Sequence, residues 1–282
     1  MFITDETINK LIKEDIPYLD LTTHVLNIGS QKGSITYTAR QNAVICGTDV
    51  AKRIFEKLEI KTNHMIPSGT MVNAGDVLIS GQGSAESLHM AWKVCMNILE
   101  YCSGIATRTR RLVDSAKKIN PKIEVVTTRK IFPGTKELSI KAAVDGGALP
   151  HRLGLSETIL IFQEHTVFLG GIDGFLNKLA HFKARACEKK ITVETKCRED
   201  ALKLCRAGVD GIQFDKIPHE ELRAIVEEIR EINPEIILIA TGGINAENIE
   251  GYAATGVDSI NTTWVYFGKP VDVGVKMELS EN

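Results

Sequence analysis

Charge of one sign is the first thing this sequence lacks. Its 34 Lys and Arg stand against 36 Asp and Glu, a formal net charge of -2, and no long block of like charge occurs. Bulk electrostatics therefore offer nothing to nucleic acid or to an anionic membrane surface, and any site for a polyanion has to be built locally. Long apolar runs are missing as well. None approaches the roughly 18 residues that a membrane span needs, and the opening MFITDETINKLIKEDI has no basic segment followed by an apolar one. The expected location is cytoplasmic, with no membrane partner. The six cysteines, Cys46, Cys95, Cys102, Cys187, Cys197 and Cys205, include no CxxC pair. Cys95 and Cys102 share one face of an apolar helical segment, which suits reduced core thiols better than disulfides or zinc ligands.

What is present is ample material for a core: 282 residues, 43% of them hydrophobic, enough for two modest domains or one barrel-sized one. The first hundred residues mix short patterns. A helix is expected over about Thr4 to Glu14, strands near Ser34 to Ala39 and Ala43 to Gly47, and a helix near Asp49 to Leu58. Turn glycines in PSGTMVNAGDVLISGQG, Pro67 to Gly83, predict compact β-hairpins. From Ser87 to about Ala116 a helical period takes over, with an interruption expected at Ser103-Gly104 and a domain boundary there. After Asn120-Pro121 the rhythm becomes regular. Runs at Glu124 to Thr127, Thr158 to Phe162, Ile191 to Glu194, Gly211 to Phe214, Ile236 to Ala240 and Ser259 to Asn261 alternate with helical patterns such as Pro218 to Ile232. This βαβ alternation, without a GxGxxG after the first strand, predicts an incomplete α/β barrel rather than a dinucleotide-binding sheet.

In such barrels the chemistry sits at the C-terminal ends of the strands. The residues there are polar: Thr128, Arg129 and Lys130 after the first run, Glu194, then Asp215-Lys216, then Thr241-Gly242-Gly243. The segment GGALPHRLGLSE adds His151 and Arg152 on a glycine-flanked loop. Arginine offers bidentate contacts to phosphate or carboxylate, and Gly242-Gly243 ahead of a helix start offers a phosphate seat. Glu194 and Asp215 suit Mg2+, which keeps most of its waters and takes one or two carboxylates plus substrate phosphates. Each feature alone fits an ordinary role as solvated rim, N-cap or turn. Their coincidence at one barrel mouth predicts a site for an anionic small molecule and a metal. His151 reads as a ligand contact rather than a base, because the adjacent Arg152 disfavours a second charge.

The ordered segments EDIPYLDLTT, NILEYCSGIATRTRR, TTRKIFPGTK, GGALPHRLGLSETILIFQEH, VETK, GVDGIQFDKI and ATGGI resemble the quinolinate phosphoribosyltransferase (nicotinate-nucleotide pyrophosphorylase) family over nearly the whole chain, and in detail its ModD-like branch, associated with molybdate transport. The resemblance implies an N-terminal α/β sandwich over residues 1–105, an incomplete α/β barrel over 106–265, and a segment 266–282 returning to the first domain. It implies a homodimer in which one subunit completes the other's site. The implied reaction is Mg2+-dependent pentosyl transfer from phosphoribosyl pyrophosphate to a heteroaromatic acceptor. By position Glu194 and Asp215 match the family's phosphoribosyl and Mg2+ residues, Thr241, Gly242 and Gly243 its phosphate loop, and Arg129, Lys130, His151 and Arg152 its basic pocket. Lys130 joins Glu194 and Asp215 in the expected catalytic set.

The departures point to an altered acceptor. Trp92-Lys93 stands where the family has Glu-Arg, so the cation offered across the dimer is a point charge rather than a fork. LIFQEH puts Phe162 and Glu164 where the family has Lys and Asn, and Pro150 replaces an Asn. A buried dicarboxylate needs matched cations, so a less anionic acceptor, stacked on Phe162 or Trp92, is expected in place of quinolinate. Two other readings compete: an authentic quinolinate phosphoribosyltransferase of NAD biosynthesis, and a non-catalytic oxyanion-binding protein linked to molybdate.

Overall fold

The computed structural model describes residues 1–280. Its strands are β1 Lys32–Ala39, β2 Ala43–Val44, β3 Lys61–Met65, β4 Met71–Val72, β5 Val77–Ser84, β6 Glu124–Thr127, β7 Leu149–Pro150, β8 Ile159–Ile161, β9 Ile191–Thr195, β10 Gly211–Asp215, β11 Ile237–Thr241, β12 Ser259–Thr262 and β13 Val273–Leu279. The chain divides into two compact units. One comprises Met1–Arg110, Phe132–Gly147 and the residues from Tyr266 onward; the other comprises Arg111–Ile131 and Ala148–Val265. The excursion of Phe132–Gly147 into the first unit was not expected from the sequence.

The first unit is built on an antiparallel sheet of order β13-β1-β5-β3. Period-two burial along β1 turns Ile35, Tyr37 and Ala39 into the core, where they join Ile54 and Phe55 of the helix Thr48–Lys57 and Leu88, Cys95 and Leu99 of the helix Ala85–Ile119. The buried Tyr37 hydroxyl donates to the Trp92 carbonyl at 3.0 Å. The first helix, Asp5–Asp15, starts at an N-cap where the Thr4 hydroxyl accepts from the Thr7 N–H at 3.2 Å.

Two local expectations are corrected. The helix Ala85–Ile119 runs unbroken through Ser103-Gly104. Ser103 is fully buried and its hydroxyl accepts from the Cys46 N–H at 2.9 Å, while a Cβ on Gly104 would lie 3.0 Å from the Lys269 carbonyl. The small residues serve a close crossing rather than a break, and packing overrides propensity. The Pro67 to Gly83 stretch forms no hairpin: β5 pairs with β1 and β3, and β4 pairs with β2. Of the cysteines, Cys46, Cys95, Cys102 and Cys205 are buried free thiols, whereas Cys187 and Cys197 are exposed.

The second unit is a seven-stranded parallel sheet of order β7-β6-β12-β11-β10-β9-β8. The first strand in sequence, β6, pairs with the last, β12, and every other neighbour is sequential. The order is therefore a ring interrupted between β7 and β8, an incomplete α/β barrel. The sequence reading found six of these strands. It missed β7, whose two residues are too few to carry an alternation.

Alternation gives the ribbon two distinct faces. Val193, Ile212, Phe214, Leu238, Ala240 and Ile260 are apolar and at most 1% exposed, matching the apolar stripes of helices such as His219–Ile232, which buries Leu222, Ile225, Val226 and Ile229. The opposite face carries Glu194, Gln213, Asp215, Thr241 and Asn261 in register. Helices need the apolar face, so the polar face lines the barrel interior. No helix among the described residues is long and apolar enough to cross a membrane.

Candidate active site

All strands of the second unit are parallel, so their C-terminal ends share one rim. Arg129 and Lys130 follow β6 and are exposed. His151 and Arg152 follow β7 directly, and the His151 N–H donates to the Thr127 carbonyl at 3.0 Å. They are thus anchored at a strand end rather than carried on a free loop. Phe162 follows β8, and the Arg152 guanidinium carbon lies 5.8 Å from its ring centre. The neighbouring Phe162 N–H donates to His165 Nδ1 at 3.0 Å.

Among the described residues the basic side is short of counter-charge. Arg152 is only 9% exposed, and burial together with the nearby Arg129 holds its guanidinium below the usual arginine range. Burial, then the charge of Arg152, pushes the His151 imidazole down, disfavouring its charged form. A cluster of this kind favours an anionic ligand that supplies the missing negative charge.

The acidic side has the opposite imbalance. Gln213 Nε2 donates to Glu194 Oε2 at 2.6 Å, and the exposed Lys196 ammonium lies 3.7 Å from Asp215 Oδ2. Burial raises the Glu194 carboxyl above its usual value, and the charges of Asp215 and Glu164 add to this, against the opposing effects of Gln213 and Lys196. Two carboxylates in one half-buried place call for a cation. Their oxygen-only donor set suits a hard divalent ion. Among the described residues no group of three or more His, Cys, Asp or Glu is arranged to hold a metal, so an ion here would take its remaining ligands from water or substrate.

The loop after β11 is shaped by two conformational demands. Gly242 has φ +92°, and a Cβ there would lie 2.6 Å from Asp215 Oδ1 and 2.5 Å from Lys216 Cγ; Gly243 has φ +75° and faces open space. Only glycine meets the first demand. Lys216 itself sits at φ 62°, a strained value for a lysine, with its N–H donating to the Thr241 carbonyl at 2.9 Å. One expectation fails here: no helix starts at Gly243. The next helix is Ile249–Ala253, and Asn248 Nδ2 ties the intervening loop back to the Gly243 carbonyl at 3.2 Å. An anion at this loop would be held by backbone N–H groups and not by a helix end.

Arg129, Lys130, His151, Arg152, Phe162, Glu194, Asp215, Thr241, Gly242 and Gly243 all lie at strand ends of the second unit. Lys93 does not. It belongs to the first unit, on the helix Ala85–Ile119, with its ammonium 4.6 Å from the Trp92 ring centre. Sequence reasoning overlooked Gln213 and Asn261, although a polar residue inside each of the short runs GIQFD and SINT was a visible signal.

The chain belongs to the quinolinate phosphoribosyl transferase family: the family's C-terminal domain matches residues 105–276 and its N-terminal domain residues 20–103. Within it, the chain is 33% identical over 278 residues to "Putative pyrophosphorylase ModD" of Pasteurella multocida, covering 99% of each. It is 28% identical over 275 residues to "Probable nicotinate-nucleotide pyrophosphorylase [carboxylating]" of Methanothermobacter thermautotrophicus, covering 96% of this chain and 98% of that one. The fold is that of the crystal structure of NadC from Streptococcus pyogenes, with TM-score 0.89, 24% identity and 100% of both chains covered.

Proposed function

We propose that this protein transfers a pentosyl group from phosphoribosyl pyrophosphate to a heteroaromatic acceptor less anionic than quinolinate. The observation that carries the reading is the Glu194–Asp215 pair beside a glycine loop that only glycine can build, facing a basic set with too few counter-charges. On this reading Thr241, Gly242 and Gly243 seat a phosphate, and Arg129, Lys130, His151 and Arg152 hold the remaining anionic groups. Glu194 and Asp215 lie against the pentose and hold Mg2+, which supplies charge stabilisation for the departing pyrophosphate. Such chemistry asks little of acids and bases. It needs fixed charge around a cationic sugar carbon, which strand-end carboxylates provide. Lys93 enters the site from the partner subunit of a homodimer. Titration calorimetry with Mg2+ and phosphoribosyl pyrophosphate tests the reading: micromolar binding is expected, and no binding of any ribose phosphate would defeat it.

The altered acceptor rests on Phe162 and Glu164. Phe162 brings an aromatic face under Arg152 where the family carries a cation, and Glu164 adds negative charge felt by Glu194. Phe162→Lys is expected to raise kcat/KM for nicotinate mononucleotide formation from quinolinate by about ten-fold or more, since one restored charge-assisted contact is worth about 1.5–3 kcal/mol. Robust turnover of quinolinate by the unaltered protein would instead favour the authentic nicotinate-nucleotide pyrophosphorylase activity named for the Methanothermobacter relative.

A further inference from the structure

The acidic side of the site carries a cation of its own, Lys196. It follows β9, and Asp215 ends β10; the two strands are parallel with Thr195 opposite Phe214, so the next step of the register sets Lys196 beside Asp215. The Lys196 ammonium stands 3.7 Å from Asp215 Oδ2, with the lysine side chain 65% exposed and the aspartate 18%. Asp215 Oδ1 lies over the glycine loop, 2.6 Å from the place of a Cβ on Gly242, and Glu194 Oε2 accepts from Gln213. Oδ2 is thus the Asp215 oxygen that meets a charge. An ion pair with so exposed a lysine adds little to stability, and the flexible four-carbon stem can leave it readily. The contact nevertheless puts an ammonium where a divalent ion would bind. Two cations about 4 Å apart repel even in water, so lysine and metal exclude one another at Oδ2.

We propose that Lys196 is a built-in counter-ion that keeps bare divalent ions off the Glu194–Asp215 pair and yields to an ion carried on phosphoribosyl pyrophosphate, turning its ammonium to a phosphate oxygen as it leaves Asp215. The proposal rests on the pentosyl-transfer reading and adds an order of binding. Metal and donor enter together, because the donor supplies the anion that draws the lysine away. Burial raises the Glu194 carboxyl, and Lys196 is among the groups that oppose this, so its charge steadies the pair until a metal replaces it. An ordinary rim lysine would act through the general field alone, and a neighbouring lysine would then serve as well.

The test measures two affinities: Mn2+ alone, by electron paramagnetic resonance of the free ion, and phosphoribosyl pyrophosphate in Mg2+, by calorimetry. Mn2+ takes the same oxygen ligands as Mg2+. Lys196→Met is expected to bind Mn2+ alone about five- to ten-fold more tightly and phosphoribosyl pyrophosphate about ten-fold more weakly. Lys196→Arg, which keeps the charge, should return both to within about two-fold of the unaltered protein. Lys216→Met removes the same charge from the neighbouring strand end while leaving the Lys196–Asp215 contact in place, and should move Mn2+ by less than about two-fold. Lys196 is exposed, so all three variants should melt with the unaltered protein. Unchanged affinity of Lys196→Met for either ligand, or an equal Mn2+ shift in Lys216→Met, would overturn the assignment while leaving pentosyl transfer standing. Failure of the unaltered protein to bind phosphoribosyl pyrophosphate would remove the pentosyl reading and this one with it.

Discussion

Replacing Glu194 and Asp215 together by alanine is expected to abolish calorimetric binding of Mg2+–phosphoribosyl pyrophosphate and to lower turnover by roughly 100-fold or more. The same variant should melt no lower than the unaltered protein. The two carboxylates repel, and burial raises the Glu194 carboxyl above its ordinary value. A carboxyl raised in the folded state binds more protons there than in the unfolded chain, so its contribution to stability falls as pH rises from the unfolded value through the folded one. At neutral pH the Glu194 carboxylate therefore opposes folding, and its removal relieves that cost. Loss of function with retained stability is the signature of groups kept for chemistry rather than for the fold. Molybdate separates the competing view. If the basic rim serves a bare tetrahedral dianion, the double variant should bind molybdate as well as before or better, because two negative charges have left. Unchanged phosphoribosyl pyrophosphate binding by this variant would sink the assignment of the acidic pair.

The second large effect is expected in the first unit, at Lys141. Its side chain is 4% exposed, and its ammonium bridges Asp145 at 2.9 Å and Asp49 at 3.0 Å. The Cys46 thiol donates to the same Asp145 at 3.1 Å, and the Ser68 hydroxyl donates to Asp49 at 2.7 Å. Lys141→Met leaves two carboxylates around a buried apolar side chain. A cost of about 3–5 kcal/mol is expected from denaturant titration, because breaking one partner of a buried pair strands the other. Lys141→Met combined with Asp145→Asn should recover part of that loss. A cost for the single variant within about 0.5 kcal/mol, the range of ordinary surface substitutions, would show that the network does not hold the helix Lys136–Asp145 in place.

The same network predicts a stability plateau in pH. For Asp49, burial raises the carboxyl but the bonds from Ser68 and Lys141 outweigh it, so its folded value is depressed. Its contribution is present above the unfolded carboxylate value and is lost as pH falls through the folded one. For Lys141, burial lowers the amine but Asp145 and Asp49 outweigh it, so its folded value is raised. Its contribution is complete below the unfolded lysine value and is lost as pH rises through the folded one. In thermal melts across pH, Lys141→Met should reduce the dependence on both flanks.

Much of the barrel was legible because each parallel strand carries an apolar row that its helices cover, and the charged residues at its end stand out against that background. TTRK, VETK and QFDK each show a strand stopping at charge, and the candidate site of the second unit is drawn from those stops. Ser103-Gly104 was misread because a small-residue pair looks the same in sequence whether it breaks a helix or admits a crossing chain. Only the Cys46 backbone and the Lys269 carbonyl, distant in sequence, decide between the two. The pairing of β5 with β1 was likewise out of reach, since local turn glycines do not encode a partner some forty residues away.

By itself, then, the sequence determined the class of fold, the family and the strand-end residues, because hydrophobic period and local charge are properties of neighbouring positions. The tertiary structure alone decided which of those residues share a face, that Gly242 is demanded by the Asp215 carboxylate, and that the inner face carries two buried amide oxygens without partners among the described residues. Those facts depend on strand register and on contact between segments far apart in the chain. Parallel pairing fixes that register through side chains on different strands, which no local pattern contains.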